Sequence, residues 1–302
     1  MTEAEICVVI PAKDEVAAIG GLVAEIVAAL EGESFTITVV DDGSSDGTGA
    51  QLELLARRHP QLGWLRHETS LGQSAAIRSG VRAARAPLIV TLDGDGQNPP
   101  DQIPLLLAAL RAPGAAGVGL VQGERAARQD SAPRRLASQW ANRIRNAILH
   151  DGVRDSGCGL KAFRRAAYLD LPYFDHIHRF MPAMMLREGW QVVCVPVTHR
   201  ERRAGRSKYS NLGRALVGIV DLMGVAWLIR RSPYGRGLAW ARAGQGGSPG
   251  AGLPQPASAM PPAAASATTA SGGALQATSS TKASSASAKS AIPPTAPTKT
   301  GA

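Results

Sequence analysis

The strongest constraint on this chain is an alternation: short apolar runs without polar interruption, each followed by a stretch of helical period. Residues 6–10 are a β-branched run, and in 15–30 the positions Val16, Ile19, Val23, Ile26, Val27 and Leu30 recur at helical spacing. The pattern repeats as a strand at 35–40 and a helix at 51–58, then a strand at 64–67 and an Ala-rich helix at 73–84. A strand at 88–92 comes before Pro99 and Pro100, which suit the first turn of a helix at 103–110, and a further strand is expected at 118–121. Strands that are apolar on both faces and separated by helices predict an α/β fold with a mostly parallel sheet covered on both sides. In such sheets ligands bind beyond the carboxyl ends of the strands. That rule sets three polar loops, 11–15, 41–45 and 93–97, along one rim. Beyond 121 the pattern loosens into 123–128, an amphipathic helix at 133–149, a turn DSGCGLKAFRR at 155–165, a helix near 179–188 and a strand at 192–197.

Composition sets the limits of the folded part. Of 302 residues, roughly the first 230 read as globular, enough for one α/β core. From Gly235 on, the chain is mostly Ala, Ser, Thr, Pro and Gly, with no acidic residue and five basic ones: Arg236, Arg242, Lys282, Lys289 and Lys299. Such a segment has too little apolar burial to offset its ordering entropy. The expected organisation is a globular domain at 1–212, an apolar membrane-associating segment at 213–234 and a disordered tail at 235–302. The net charge of +9 falls to +4 once the five tail cations are set aside. That mild excess fits an anionic phosphate substrate or a membrane surface, and equally an ordinary domain with spare arginines; no nucleic-acid partner is expected. Cys7, Cys158 and Cys194 lack metal-ligand or C-x-x-C spacing and read as reduced, buried thiols. The opening MTEAEICVVIP has neither a basic leader nor a cleavable apolar stretch, so reduced cytoplasm is the expected compartment.

Asp93, Gly94, Asp95 and Gln97 form a D-x-D-x-Q cluster directly after an apolar strand. Closely spaced oxygen donors at a sheet edge suit a hard divalent cation, Mg2+ or Mn2+, which needs few protein ligands when a diphosphate supplies the rest. Such an ion would neutralise charge on a departing nucleoside diphosphate. Two aspartates beside glycines also make an ordinary surface turn. Asp41-Asp42-Gly43-Ser44-Ser45-Asp46-Gly47 closes the second strand, where carboxylates can accept ribose or base hydrogen bonds or cap the next helix. Asp46 suits the cap and Asp42 the nucleotide. IPAKDE at 10–15 reads by itself as a strand-to-helix loop.

In this order and spacing, IPAKDE, VVDDGSSDGT, LGQSAA, LDGDGQNPP, GCGLKAFRR and RAGRSKYS resemble the family 2 glycosyltransferases, specifically the polyprenyl-phosphate and dolichol-phosphate sugar transferases, over about residues 5–231. The resemblance implies a GT-A fold, a Rossmann-like sheet with helices on both faces, and a UDP- or GDP-sugar donor. It implies that Pro11, Lys13, Glu15, Val40 and Asp42 line the nucleoside pocket and that Asp93, Gly94 and Asp95 meet ribose and diphosphate. The metal would be held by Asp95 and Gln97 with Asp93, and Arg125, Arg202 and Lys208 would lie near donor or lipid phosphate. Catalysis would then rest on Asp93, Asp95 and Arg125. Relatives commonly carry an aromatic residue at the position of Lys13 and alanine at that of Gly94. A guanidinium fork matches phosphate oxygens, although a solvated surface charge is the commoner fate of an arginine. A phosphate monoester acceptor is largely dianionic at neutral pH and needs no general base, so inversion by direct displacement is expected. Two competing readings are a family 2 enzyme acting on a saccharide hydroxyl, which would need a catalytic base, and a non-catalytic nucleotide-sugar binding module.

Two segments bear on a membrane. In 133–149, Leu136, Trp140, Ile144 and Ile148 form one stripe while Arg134, Arg135, Arg143 and Arg145 spread over the remainder. This suits a helix lying in the bilayer interface or a core-facing helix with a wet basic side. Residues 216–229 are apolar except for Asp221 and are followed by Arg230 and Arg231. They fall short of the roughly 20 residues that span a bilayer and read as an interfacial anchor or a buried core helix. Peripheral attachment at the cytoplasmic membrane face, with polyprenyl phosphate as acceptor, is the expectation; a homo-oligomer is compatible with it.

Overall fold

The computed structural model describes residues 4–125, 143–200 and 211–232, with side chains in the last stretch from 217 onward. The alternation runs as expected: β1 (Ile6–Ala12), α1 (Val16–Ala29), β2 (Phe35–Asp41), α2 (Thr48–Arg58), β3 (Leu62–Arg66), α3 (Gln73–Ala83) and β4 (Leu88–Thr91). A 3-10 turn at Pro100–Gln102 leads into α4 (Ile103–Arg111) and β5 (Val118–Arg125). Then follow α5 (143–149), β6 (Lys161–Arg164), α6 (Arg165–Leu169), α7 (Ile177–Arg187), β7 (Gln191–Val197) and α8 (Asn211–Arg230).

The strands form one seven-stranded sheet in the order β3-β2-β1-β4-β6-β5-β7. Every pairing is parallel except those of β6, which runs antiparallel to both β4 and β5. The segment expected as a turn at 155–165 therefore contains a strand and the start of a helix. Both sheet faces are covered, which is why the strands show no polar alternation. In β1, Ile6, Val8 and Ile10 join the core formed with α1, α2 and α4, while Cys7 and Val9 join the core formed with α3 and α7.

The apolar run at 216–229 belongs to a helix longer than itself, and its two readings fall on different faces. Val225 is buried and Leu222 and Ile229 pack on the core, whereas Val220, Met223 and Trp227 are exposed. Among the described residues no helix is long and apolar enough to cross a membrane. In α5 the stripe residues Ile144 and Ile148 point outward, while Arg145 is buried against Asp151. The described part of that stripe is thus not core-facing. Residues 133–142 of the stripe and the tail at 235–302 lie outside the described residues.

Candidate active site

β1 lies between β2 and β4, and the chain runs outward from β1 through β2 and β3 before returning to β4 on the other side. At such a reversal the loops leaving the two central strands part, and a crevice opens beyond their carboxyl ends. The crevice holds a cavity of about 120 Å³ whose walls include Pro11, Gln73, Asp93, Gly159, Lys161 and His178.

Asp93 is held in this wall by its neighbours. Gln73 Nε2 donates to Oδ1 at 2.8 Å and Asn98 Nδ2 to Oδ2 at 3.4 Å. A Cβ on Gly159 would overlap the Asp93 carboxylate, so the loop leading into β6 closes over the aspartate only with glycine there. Gly94 is equally confined: a Cβ there would sit 3.0 Å from the Pro11 carbonyl oxygen. Burial and then repulsion from Asp95 raise the Asp93 pKa, opposed by the positive charges of Lys161 and Arg125. Asp95 Oδ1 accepts the Gln97 amide at 3.1 Å, and Gln97 in turn accepts the Arg200 amide at 2.9 Å, which ties this loop to the segment after β7. Two carboxylates whose repulsion a cation would relieve, with an amide beside them, fit a divalent ion that shares its coordination with a diphosphate. Among the described residues no group of three or more His, Cys, Asp or Glu could hold an ion.

The neighbouring loops are stitched together by side chains. Asp42 accepts from His67 Nδ1 (2.7 Å), Ser70 Oγ (2.7 Å), and the Leu71 (2.8 Å) and Gly72 (2.9 Å) amides. Burial pushes its pKa up, but these bonds, His67 foremost, outweigh it and hold the carboxyl below its ordinary range. Asp46 accepts the Thr48 amide at 3.0 Å and the Val16 amide at 3.1 Å, the first residues of α2 and α1, while the N-cap position of α2 itself is Gly47 rather than the expected Asp46. Lys13 is exposed on the rim, and the Glu15 amide donates to Thr48 Oγ1 at 3.0 Å. Val40 is fully buried beneath α3 and supports the rim rather than facing it. Arg202 and Lys208 lie outside the described residues.

Arg125 is clamped by Asp155, Nε to Oδ2 at 2.6 Å and NH2 to Oδ1 at 2.8 Å, and this pairing raises its pKa against the effect of burial. Two cavity residues escaped the sequence reading. Lys161, in β6 opposite Thr91 and Gln122, is buried and donates to the carbonyls of Ser156 and Cys158; burial lowers its pKa. His178, in the first turn of α7, sets Nδ1 2.7 Å from Ser74 Oγ. Burial and then the Arg179 charge keep this histidine's pKa well below its ordinary value.

A sheet of this order is that of the GT-A fold. Residues 7–171 match glycosyl transferase family 2, and the chain belongs to that family. A curated relative, the dodecaprenyl-phosphate galacturonate synthase of Rhizobium johnstonii, is 32% identical over 238 residues, covering 75% of this chain and 68% of its own length. The fold is shared with a mannosyltransferase from Pyrobaculum calidifontis solved with GDP-Man and Mn2+. That structure is 20% identical with TM-score 0.55, covering 76% of this chain and 65% of the other. It is also shared with the glucosyl-3-phosphoglycerate synthase of Mycobacterium tuberculosis, solved with Mn2+, UDP-glucose and phosphoglyceric acid. There the identity is 18% and the TM-score 0.57, over 75% of this chain and 79% of that one.

Proposed function

We propose that this glycosyltransferase moves a sugar from a nucleotide-sugar donor, UDP- or GDP-linked, to a polyprenyl phosphate, with inversion at the anomeric carbon. The observation that carries the reading is the Asp93–Asp95 pair at the switch point, with Asp93 lining a cavity that Pro11 of β1 also lines. The acceptor is supported by the relative, whose name pairs dodecaprenyl phosphate with galacturonate, a sugar bearing a carboxylate.

In this reading Pro11, Lys13, Glu15 and Asp42 border the nucleoside, with Val40 beneath them, and Asp93, Gly94 and Asp95 meet ribose and diphosphate. Mg2+ or Mn2+, held by Asp93, Asp95 and Gln97, would supply positive charge for the leaving diphosphate. Arg125, fixed by Asp155, adds a permanent cation whose field, like that of Lys161, acts on Asp93, and Arg202 and Lys208 are assigned to phosphate contact. The chain supplies alignment and charge and no base, because the acceptor phosphate is already dianionic. Attachment is assigned to the cytoplasmic membrane face; its peripheral character is supported by the outward apolar residues of α5 and α8, with Arg230 ending α8 and Arg231 next to it. The test is incubation of the purified chain with radiolabelled nucleotide sugars and polyprenyl phosphate, followed by lipid extraction. Label is expected in the organic phase; label confined to a water-soluble glycoside overturns the acceptor.

A further inference from the structure

Resting on the transfer proposed above, we infer that the cavity holds the transferred sugar and that His178 Nε2 donates a hydrogen bond to one of its hydroxyl oxygens. Neighbouring residues in the first turn of α3 prepare the wall. Gln73 fixes Asp93, Nε2 to Oδ1 at 2.8 Å, and Ser74 fixes His178. Ser74 is fully buried, and its Oγ accepts the His178 amide at 3.5 Å, an amide that the first turn of α7 leaves without a partner in its own helix. The hydroxyl's own proton then has His178 Nδ1, 2.7 Å away, as its acceptor. A buried hydroxyl left without an acceptor is disfavoured, so the imidazole carries its proton on Nε2. Burial, followed by the Arg179 charge, keeps the ring neutral.

With Nδ1 and the backbone amide both engaged by Ser74, which does not line the cavity, Nε2 is the ring nitrogen that a ligand reaches. Among the described residues it has no hydrogen-bond partner. An enclosed N–H without an acceptor is costly, and a ligand oxygen removes that cost. The other lining groups set the kind of oxygen. Lys161 already lies in the field of the Asp93 and Asp155 carboxylates and donates to the carbonyls of Ser156 and Cys158, so this wall does not call for a further anion. Ile77 and Leu92 add apolar surface, which suits the C–H faces of a sugar ring and not a phosphate. At about 120 Å³ the cavity has room for roughly eight to twelve water-sized groups, the scale of one hexosyl unit and well short of a whole nucleotide sugar. A hydroxyl, which both accepts and donates, suits a wall with a fixed donor in His178 and a fixed acceptor in Asp93.

The experiment takes whichever of UDP-glucose, UDP-galactose, UDP-galacturonate and GDP-mannose labels polyprenyl phosphate fastest with the full chain, and compares it with its deoxy analogues, each sugar hydroxyl removed in turn. At one position the loss is expected to lower kcat/KM by at least about tenfold, since a site built to bond a group rejects analogues lacking it. In His178→Phe, which keeps a ring and removes the donor, that penalty is expected to vanish. Ser74→Ala leaves the imidazole in place but frees its tautomer; the penalty is expected to shrink, and the ring-nitrogen NMR shifts of His178 to move from the Nε2-protonated form to a mixture. Ser74→Ala keeps the test decisive should His178→Phe fail to fold. A penalty that either folded variant leaves unmoved overturns the inference while the transfer to lipid stands. So do tolerance of every deoxy donor, a wild-type ring protonated on Nδ1, and a His178→Phe effect confined to the KM of polyprenyl phosphate. Absence of lipid label from any donor overturns both.

Discussion

Replacing Asp42 with alanine separates its structural work from any contact with the nucleotide. The residue is 4% exposed and accepts hydrogen bonds from His67, Ser70, Leu71 and Gly72. Alanine strands the Leu71 and Gly72 amides, while the two side-chain donors can turn toward water. At about 1–3 kcal/mol for each stranded amide, the loss is about 2–6 kcal/mol. For a domain of this size each kcal/mol moves Tm by about 2–4 °C, so Tm of the ligand-free protein falls by at least about 4 °C. Calorimetry without any nucleotide is the assay. Because the folded pKa is depressed, the carboxylate's contribution is complete above the unfolded value, about 3.9, and is lost as pH falls through the folded one. The gap between wild type and Asp42→Ala is therefore constant near neutrality and closes below about pH 4. An unchanged Tm, with only donor affinity weakened, refutes the structural role.

Three further outcomes follow from the geometry. Gly159→Ala drives a methyl into the Asp93 carboxylate; turnover is expected to drop about a hundredfold, with stability lowered by about 1–3 kcal/mol, and near-normal turnover contradicts the packing. Asp95→Ala is expected to abolish turnover and the Mn2+-dependent rise in Tm given by the nucleoside diphosphate; full activity of the variant with chelator present removes the metal role. Met223→Ser with Trp227→Ser changes exposed side chains, so stability should move by no more than about 0.5 kcal/mol per site while co-sedimentation with anionic vesicles falls; unchanged sedimentation contradicts membrane contact.

The parallel half of the sheet was legible because its signal is local. Val8, Val9, Val39 and Val90 are apolar wherever the chain is covered on both faces, and each such run ends at the loop that carries rim chemistry. β6 was not legible. Its four residues include Lys161 and Arg164, and two charges in a short run beside Gly157 and Gly159 read as a turn. It is a strand because β4 and β5, remote in sequence, present open edges on either side. The aspartates of the site announced themselves by spacing, and the structure adds their supports, Gln73, Asn98 and Gly159, which no local pattern marks. Lys161 and His178 were missed for the same reason: a lysine in a glycine-rich stretch reads as solvated, and a histidine opening a helix carries no signal until the fold brings Ser74 against it. The apolar stretch at 216–229 hid its two-sidedness, since a helix apolar all round does not show which face docks.

In the proposed function Asp93 and Asp95, in the loop after β4, grip a cation that draws charge from the leaving group of the donor. A crystal of the full chain grown with Mn2+ and an unhydrolysable nucleotide sugar, read by the anomalous signal of manganese, tests it most directly. One manganese peak is expected between these carboxylates and the diphosphate, with the sugar in the cavity beside Lys161 and His178. A nucleotide bound with no manganese at that rim, or seated away from β4, contradicts it.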